Sequence, residues 1–250
     1  MADGFVAVRE AVPDVTARSC ADVVWSELAA RGIDRADAAT WTEPVVRVGC
    51  PEGGPFVHAG TAARLQEACD QLLGEGRWWR REGVGGSIPI RFPSAADPGD
   101  AGWHLDGGTP DADGRTRVTV RARGGGLLAL FLFSDVDERS APTRLRSGSH
   151  VDTARVLEDA GDDGLEWGEA SRLAAAAAAH RPIALVTGRA GDVFLCHQLL
   201  VHAASWPHTG ENPRIIAQPT IMLLGEYRLP GSPAAAPTPV ERAILRDLGT

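Results

Sequence analysis

The sequence predicts a mainly β fold with flanking helices, in which two packed sheets form a jelly roll. Many short strand-like segments alternate with turn-forming residues, as is typical of such folds. Residues 127–133 form an unbroken apolar run, which suits a strand buried on both faces. A chain of 250 residues can bury one large core. We therefore expect a single domain at residues 1–229, with a linker and a short terminal helix at 230–250 packed on it.

Strand signals recur along the whole chain as short apolar or alternating segments bounded by turn formers. The predicted strands cover residues 4–9, 45–48, 87–92, 117–121, 127–133, 142–146, 183–186, 192–196 and 214–223. We place residues 87–92 at a sheet edge, because Pro89 cannot donate a hydrogen bond to a neighbouring strand.

Helical signals lie mainly outside this series of strands. A first helix is predicted between Asp14 and Gly32 from apolar residues at helical spacing, namely Ala17, Ala21, Val24 and Leu28. Thr61 is predicted to cap a second helix, which ends before Gly74 and has a stripe of Leu65, Cys69 and Leu72. Further helices are expected at residues 151–157 and 166–179, and near the end of the chain. There Thr238 and Glu241 form a capping box, with proline at the first helical position, and the helix should end near Leu248.

Composition excludes several classes of function. The net charge is −8 and the sequence contains no basic stripe, so nucleic acid is not an expected partner. No apolar stretch is long enough for a membrane helix or a secretion signal, which predicts a soluble, cytoplasmic protein without a membrane partner. The cysteines are few and widely spaced, which favours reduced thiols over a zinc site or disulfides: Cys20, Cys50, Cys69 and Cys196. The sequence leaves the oligomeric state open.

A metal site is predicted by two short segments read together. In an extended strand residues i and i+2 project to the same side, so His104 and Asp106 can present an imidazole and a carboxylate side by side. His202, far downstream, is the candidate for a third ligand. Two histidines and one carboxylate on one face of an octahedral ion leave three positions open, as in non-haem Fe(II) oxygenases.

Each of these residues has an alternative interpretation. His104 and Asp106 could form an ordinary hydrogen-bonded pair on a strand surface. His197 competes with His202 as third ligand, but the two are an odd number of residues apart and would face opposite ways on one extended strand. A break in the strand after Cys196 would weaken this parity argument. We assign His197 to the core or to the surroundings of the site, and, separately, His150 to a turn-stabilising or supporting role.

Several segments together resemble the phytanoyl-CoA dioxygenase family of Fe(II)/2-oxoglutarate-dependent oxygenases. They are Trp-His-Leu-Asp at 103–106, residues 142–150, Gly-Asp at 191–192 leading into His-Ala-Ala-Ser at 202–205, and Pro-Arg at 213–214. The resemblance spans most of the chain. It implies a distorted double-stranded β-helix of cupin-like jelly-roll type, with iron bound by His104, Asp106 and His202. It also implies 2-oxoglutarate as cosubstrate, held through its distal carboxylate by Arg214, and dioxygen as the oxidant.

The residue type at position 214 agrees with that implied role. A planar guanidinium suits a two-pronged pair with a carboxylate, whereas the alternative is an ordinary surface arginine. Many related enzymes carry a hydroxyl two residues after this arginine, but here the position is Ile216. Thr143 and Ser205 are the candidates to supply that hydroxyl.

The reaction implied by the resemblance is hydroxylation of an unactivated C–H bond of a small molecule, with formation of succinate and CO2. Related halogenases lack the carboxylate ligand, so Asp106 favours hydroxylation over halogenation. Two other classes remain: a cupin-like metalloenzyme that uses the same ligands without 2-oxoglutarate, and a non-catalytic jelly-roll binding protein. The sequence names no particular substrate.

Overall fold

The computed structural model describes residues 1–110, 113–229, 236–245 and 248. The strands are β1 (Phe5–Val8), β2 (Val45–Gly49), β3 (Ser87–Arg91), β4 (Thr109–Pro110), β5 (Thr116–Val118), β6 (Gly125–Leu132), β7 (Arg144–Arg146), β8 (Leu165–Glu166), β9 (Ile183–Leu185), β10 (Val193–His197), β11 (His202–Ala203), β12 (Arg214–Ala217) and β13 (Thr220–Met222). The α-helices are α1 (Asp14–Ala29), α2 (Gly54–Gly60), α3 (Ala63–Leu73), α4 (Ser149–Asp159), α5 (Trp167–Ala177) and α6 (Pro239–Leu245).

Antiparallel pairing builds a major sheet and two smaller ones. The major sheet has the order β1-β10-β6-β12-β3-β2, and β13 also pairs with β6. A three-stranded sheet has the order β11-β7-β9, and β4, β5 and β8 form the third. The predicted mainly β jelly roll with flanking helices is confirmed.

Strand β6 lies at the centre of the packing and is buried at every position. Because successive side chains point to opposite faces, its residues divide between two cores. Leu128, Leu130 and Leu132 face the β11-β7-β9 sheet and share a core with Leu145 of β7. The intervening residues, such as Phe131, join the larger core that includes side chains of the helices. The predicted burial of residues 127–133 on both faces is confirmed, since Phe133 is also buried.

The placement of residues 87–92 at a sheet edge was wrong. Strand β3 lies between β12 and β2, and β2 occupies the edge. All five residues of β3 pair with β2, whereas only Ile90 and Arg91 pair with β12. The proline is tolerated in an inner strand because this second ladder stops before reaching it.

The predicted cap at Thr61 was also wrong. Its hydroxyl donates to the carbonyl oxygen of Val57 at 2.8 Å, and the residue ends helix α2, which the sequence did not predict. Helix α3 begins at Ala63, and no side chain caps its amino terminus. The stripe Leu65, Cys69 and Leu72 is buried as expected.

Other strands and helices follow the prediction with changed bounds. The strand predicted at 117–121 is reduced to β5, and the one predicted at 214–223 divides into β12 and β13 at Gln218 and Pro219. The capping box of α6 is confirmed, because the backbone N–H of Thr238 donates to Glu241 Oε2 at 2.7 Å. Most of the predicted linker, residues 230–235, lies outside the described residues. Within the described ranges no helix is both long and apolar enough to cross a membrane.

Candidate metal and cosubstrate site

His104, Asp106 and His202 come together at the β11 edge of the small β11-β7-β9 sheet. Their candidate ligand atoms all lie within 4.8 Å of one another. His104 is joined to His202 of β11 by two backbone hydrogen bonds, of 2.9 and 3.0 Å. This bridge places both imidazoles on the same side, with ring centroids 4.5 Å apart.

Both imidazoles are oriented by backbone carbonyl groups. His104 Nδ1 lies 2.8 Å from the carbonyl oxygen of Gly102, and His202 Nδ1 lies 3.0 Å from that of Leu200. Because a carbonyl oxygen only accepts, each Nδ1 carries a proton and each Nε2 lone pair is left for another partner. His202 Nε2 is 3.5 Å from Asp106 Oδ2, so the free nitrogen faces the carboxylate.

Electrostatics of the three residues favour an ionised carboxylate. Burial would raise the pKa of Asp106, but the hydrogen bond and charge of His202 lower it below its ordinary value. Burial likewise opposes a charge on His202, and the contact with Asp106 outweighs it and raises the pKa of His202. The pKa of His104 is lowered by burial and by the neighbouring His202. Asp106 therefore favours a positively charged partner on His202 Nε2: a proton in the absence of metal, which a metal cation bound between the two groups would replace.

His197 lies apart from this group. It is buried, its Nδ1 accepts a hydrogen bond of 3.1 Å from the Leu199 backbone N–H, and its Nε2 donates to the carbonyl oxygen of Val240 at 3.2 Å. Both ring nitrogens are thus used within the fold. His150 is its neighbour, with ring centroids 5.1 Å apart, and is also buried. These placements agree with the core assignment of His197 and the supporting assignment of His150.

Side chains hold the segment that carries His104 and Asp106 from outside. The backbone N–H of Leu105 donates to Ser171 Oγ at 3.2 Å, and Trp167 Nε1 donates to the Leu105 carbonyl oxygen at 2.7 Å. Both partners belong to helix α5. Trp103, before the first histidine, has its ring beneath two guanidinium groups, with Arg144 and Arg146 at 4.7 and 4.3 Å from the ring centroid. The segment is therefore fixed on both sides of its first histidine.

A fully buried arginine lies next to a second arginine on the neighbouring strand. Arg214 of β12 is 1% exposed and stands directly opposite Arg91 of β3, which is 3% exposed. Directly opposed residues in an antiparallel pair have side chains on the same face. Arg91 is neutralised by Asp100, which accepts two hydrogen bonds of 2.7 and 2.6 Å from it. Arg214 donates to the carbonyl oxygen of Ala141 at 2.6 Å, and no carboxylate of the described residues lies within ion-pair distance of it.

This cationic pair has unused donors. Arg214 Nε, Arg91 Nε and Thr143 Oγ1 are buried and lack a hydrogen-bond partner among the described residues. Burial and the charge of Arg91 lower the pKa of Arg214 to about 9, although Asp100 opposes this shift. Unpaired buried donors of this kind are costly, and a bound anion would satisfy them.

The other predicted residues have more ordinary settings. Ser205 Oγ donates to the carbonyl oxygen of Pro142 at 2.6 Å, so its hydroxyl proton is already engaged. Of the two hydroxyl candidates, Thr143 is the one with an unused oxygen. Sequence reasoning missed Arg91, and the available signal was a charged residue within an otherwise apolar strand. It also missed Gln198, whose side-chain amide donates to the carbonyl oxygen of Asp106 and which no sequence pattern marks.

Comparison with protein families gives one match that spans most of the chain. The model described as phytanoyl-CoA dioxygenase matches residues 2–216. No curated protein matches the chain by sequence.

Solved structures with a similar fold include three that depend on or contain 2-oxoglutarate (α-ketoglutarate). The non-haem α-ketoglutarate-dependent carbocyclase SnoK of nogalamycin biosynthesis shares 18% identity at a TM-score of 0.59, covering 94% of this chain and 88% of that one. The epimerase SnoN, solved with Fe3+, α-ketoglutarate and a nogalamycin compound, shares 18% identity at a TM-score of 0.60, covering 94% of this chain and 89% of that one. HygX from Streptomyces hygroscopicus, solved with nickel, 2-oxoglutarate and hygromycin B, shares 16% identity at a TM-score of 0.52, covering 95% of this chain and 92% of that one.

Proposed function

The chain belongs to the phytanoyl-CoA dioxygenase family, and from this membership we propose that it is an Fe(II)- and 2-oxoglutarate-dependent dioxygenase acting on a small molecule. The proposed reaction is hydroxylation of an unactivated C–H bond, with dioxygen as oxidant and succinate and CO2 as coproducts. The observation that carries the proposal is the convergence of His104, Asp106 and His202 within 4.8 Å.

The donor set fits Fe(II). Two neutral imidazole nitrogens and one carboxylate are the ligands that such oxygenases use on one face of the ion, and both imidazoles already have Nδ1 engaged with a carbonyl group. When bound, the metal and cosubstrate supply the oxidising chemistry, and the protein supplies ligation, orientation and exclusion of water. His104 and His202 would each offer Nε2, and Asp106 would contribute a carboxylate oxygen and a negative charge.

The buried arginine pair fits a dicarboxylate cosubstrate. Arg214 would hold the distal carboxylate of 2-oxoglutarate, because a guanidinium with unused donors in a dry environment binds a carboxylate strongly. Arg91, whose charge is paired with Asp100, would add its unused Nε donor, and Thr143 would add a hydroxyl. Two guanidinium groups side by side repel each other, and a bound carboxylate would offset this repulsion. A cupin-like metalloenzyme that does not use 2-oxoglutarate would have no use for this arrangement.

Hydroxylation is one of several reactions that such an enzyme could perform at the substrate carbon. Structural neighbours include a carbocyclase and an epimerase, so ring closure and inversion are the competing outcomes. Asp106 supports hydroxylation over halogenation, since it occupies the position that halogenases leave to chloride. Mass spectrometry of a converted substrate separates the classes, because hydroxylation adds one oxygen atom, ring closure removes two hydrogen atoms and epimerisation leaves the mass unchanged.

Succinate formation tests the proposal without knowledge of the substrate. Wild-type protein with Fe(II), 2-oxoglutarate and oxygen should form succinate slowly in the absence of substrate, and Asp106→Ala should form none above background. Circular dichroism of both proteins checks that the fold is intact. Folded, iron-loaded wild type that forms only background succinate across a panel of candidate substrates would favour a non-catalytic binding protein.

A further inference from the structure

Asp106 lies where the fold offers little backbone pairing. The β-bridge to His202 includes His104 but not Asp106, and two glycines follow. Helix α5 fixes the backbone of Leu105 but reaches no further along the segment. In the described part of the chain, the hydrogen bond to the Asp106 backbone comes from the side-chain amide of Gln198. Gln198 therefore holds the backbone of Asp106, while the carboxylate itself faces His202 Nε2 at 3.5 Å.

Gln198 occupies a slot that two glycines leave open. A Cβ atom on Gly107 would lie 1.6 Å from Gln198 Nε2, and one on Gly125 would lie 2.7 Å from Gln198 Cδ. Gln198 itself is only 4% exposed. The orientation of its amide is determined, because the Asp106 carbonyl oxygen can only accept and must face the NH2 group. A long side chain is thus held in one position by close packing.

The turn that carries Gln198 also orients a second candidate metal ligand, His202. Residues 198–201 connect β10 to β11, and the carbonyl oxygen of Leu200 receives the Nδ1 proton of His202. One short turn therefore sets the ring of His202 directly and the backbone of Asp106 through Gln198.

Building on the proposed function, we infer that Gln198 is a positioning residue for the metal carboxylate, acting on Asp106 through its backbone carbonyl group. It would not touch iron, cosubstrate or substrate. Its loss should leave the arginine pair and the fold intact while the carboxylate loses its fixed direction. Residues that orient metal ligands typically change metal affinity by about ten- to a hundredfold when replaced.

The first test replaces Gln198 with methionine, which keeps the length of the side chain but removes the donor. We expect the Fe(II) dissociation constant to rise about tenfold or more, and the charge-transfer band of the anaerobic Fe(II)–2-oxoglutarate complex to shift or broaden. The KM for 2-oxoglutarate in succinate formation, measured at saturating Fe(II), should change little. Gln66→Met is the matched control, because Gln66 also donates to a backbone carbonyl, that of Gly60 at 2.9 Å, away from the site.

A second test leaves Gln198 in place and closes its slot. Gly125→Ala should weaken Fe(II) binding by displacing the amide, and the same change in a Gln198→Ala background should have little further effect. Such non-additivity in a double-mutant cycle is the signature of direct coupling between the two positions. This cycle decides the matter if Gln198→Met does not fold.

The outcomes separate this inference from the proposed function. Absence of an Fe(II)–2-oxoglutarate band in the wild type would overturn the proposed function itself. A normal wild-type band, with Fe(II) affinity and spectrum unchanged in folded Gln198→Met, would overturn the positioning role alone. Additive effects of Gly125→Ala and Gln198→Ala would also count against it.

Discussion

Replacing Arg214 with leucine should weaken 2-oxoglutarate binding by about thirtyfold or more and leave Fe(II) binding unchanged. Removing one partner of a desolvated charge pair costs about 2 kcal/mol or more, which corresponds to this factor at 1.36 kcal/mol for each tenfold change. Arg214 is only 1% exposed, so we expect thirtyfold to be the smallest effect. It lies on β12, which contributes none of the three candidate ligands, so their geometry should persist.

The unbound protein provides an independent check on this prediction. A pKa of about 9 for Arg214 corresponds to a penalty on the order of 5 kcal/mol against its charged form. Without 2-oxoglutarate, Arg214→Leu should therefore be at least as stable as the wild type in thermal unfolding. Saturating 2-oxoglutarate should then raise the stability of the wild type by about 2 kcal/mol more than that of the variant, because ligand stabilisation grows with the logarithm of the ligand concentration divided by its dissociation constant.

The assay is isothermal titration calorimetry of 2-oxoglutarate into Fe(II)-loaded protein under anaerobic conditions. Arg81→Leu is the matched control, since Arg81 is a partly buried arginine that donates to backbone carbonyls, including that of Thr220 at 2.6 Å. This control should lower stability without changing the dissociation constant. Arg214→Lys should rescue binding only in part, because it keeps the charge and loses the two-pronged geometry. Unchanged affinity in Arg214→Leu would refute the assignment of the cosubstrate carboxylate to this residue.

Three further predictions concern the metal, the second arginine and the terminal helix. Metal analysis should show strong loss of iron when His104, Asp106 or His202 is replaced by alanine, and little loss in His197→Ala. Strong loss in His197→Ala with none in His202→Ala would exclude His202 as the third ligand. Arg91→Met should raise the 2-oxoglutarate dissociation constant by about tenfold, as expected for a lost charged hydrogen bond, and an unchanged value would limit Arg91 to its pair with Asp100. Burial alone would raise the pKa of Glu241, but hydrogen bonds from Arg77 and two backbone N–H groups lower it. The stabilising effect of the ionised Glu241 is therefore present above the unfolded pKa of about 4.3 and is lost as pH falls through the lower folded value. In urea unfolding, Glu241→Gln should therefore lower the free energy of unfolding by about 3 kcal/mol at pH 7, and this difference from the wild type should shrink at acid pH. A difference that does not change with pH would contradict the ion pair.

The parts of the site that depend on local geometry could be predicted from the sequence. His104 and Asp106 are two residues apart, so the period of an extended chain already places them on one side. The parity argument for His197 and His202 does not apply in the structure, because His197 ends β10 and His202 begins β11 after a turn. The inference for His104 and Asp106 needed only a short segment, and in the structure the candidate ligand atoms are close together.

Contacts that depend on register between distant segments could not be predicted. Arg91 meets Arg214 only because β3 and β12 pair in one particular alignment. Gln198 reaches Asp106 across 92 residues of sequence, through a slot formed by two glycines. The error at Pro89 has the same origin, since how far each ladder extends along β3 is a property of the assembled sheet.

An anaerobic titration of the wild type with Fe(II) and 2-oxoglutarate, followed by charge-transfer absorbance, shows whether the protein binds iron and this cosubstrate in one complex. We expect a new visible band only when both are present, saturating at one iron and one 2-oxoglutarate per chain. The band should be absent in Asp106→Ala and should require more 2-oxoglutarate in Arg214→Leu. A wild type that binds Fe(II) but develops no band at any 2-oxoglutarate concentration would contradict the account and favour a metalloenzyme that does not use this cosubstrate.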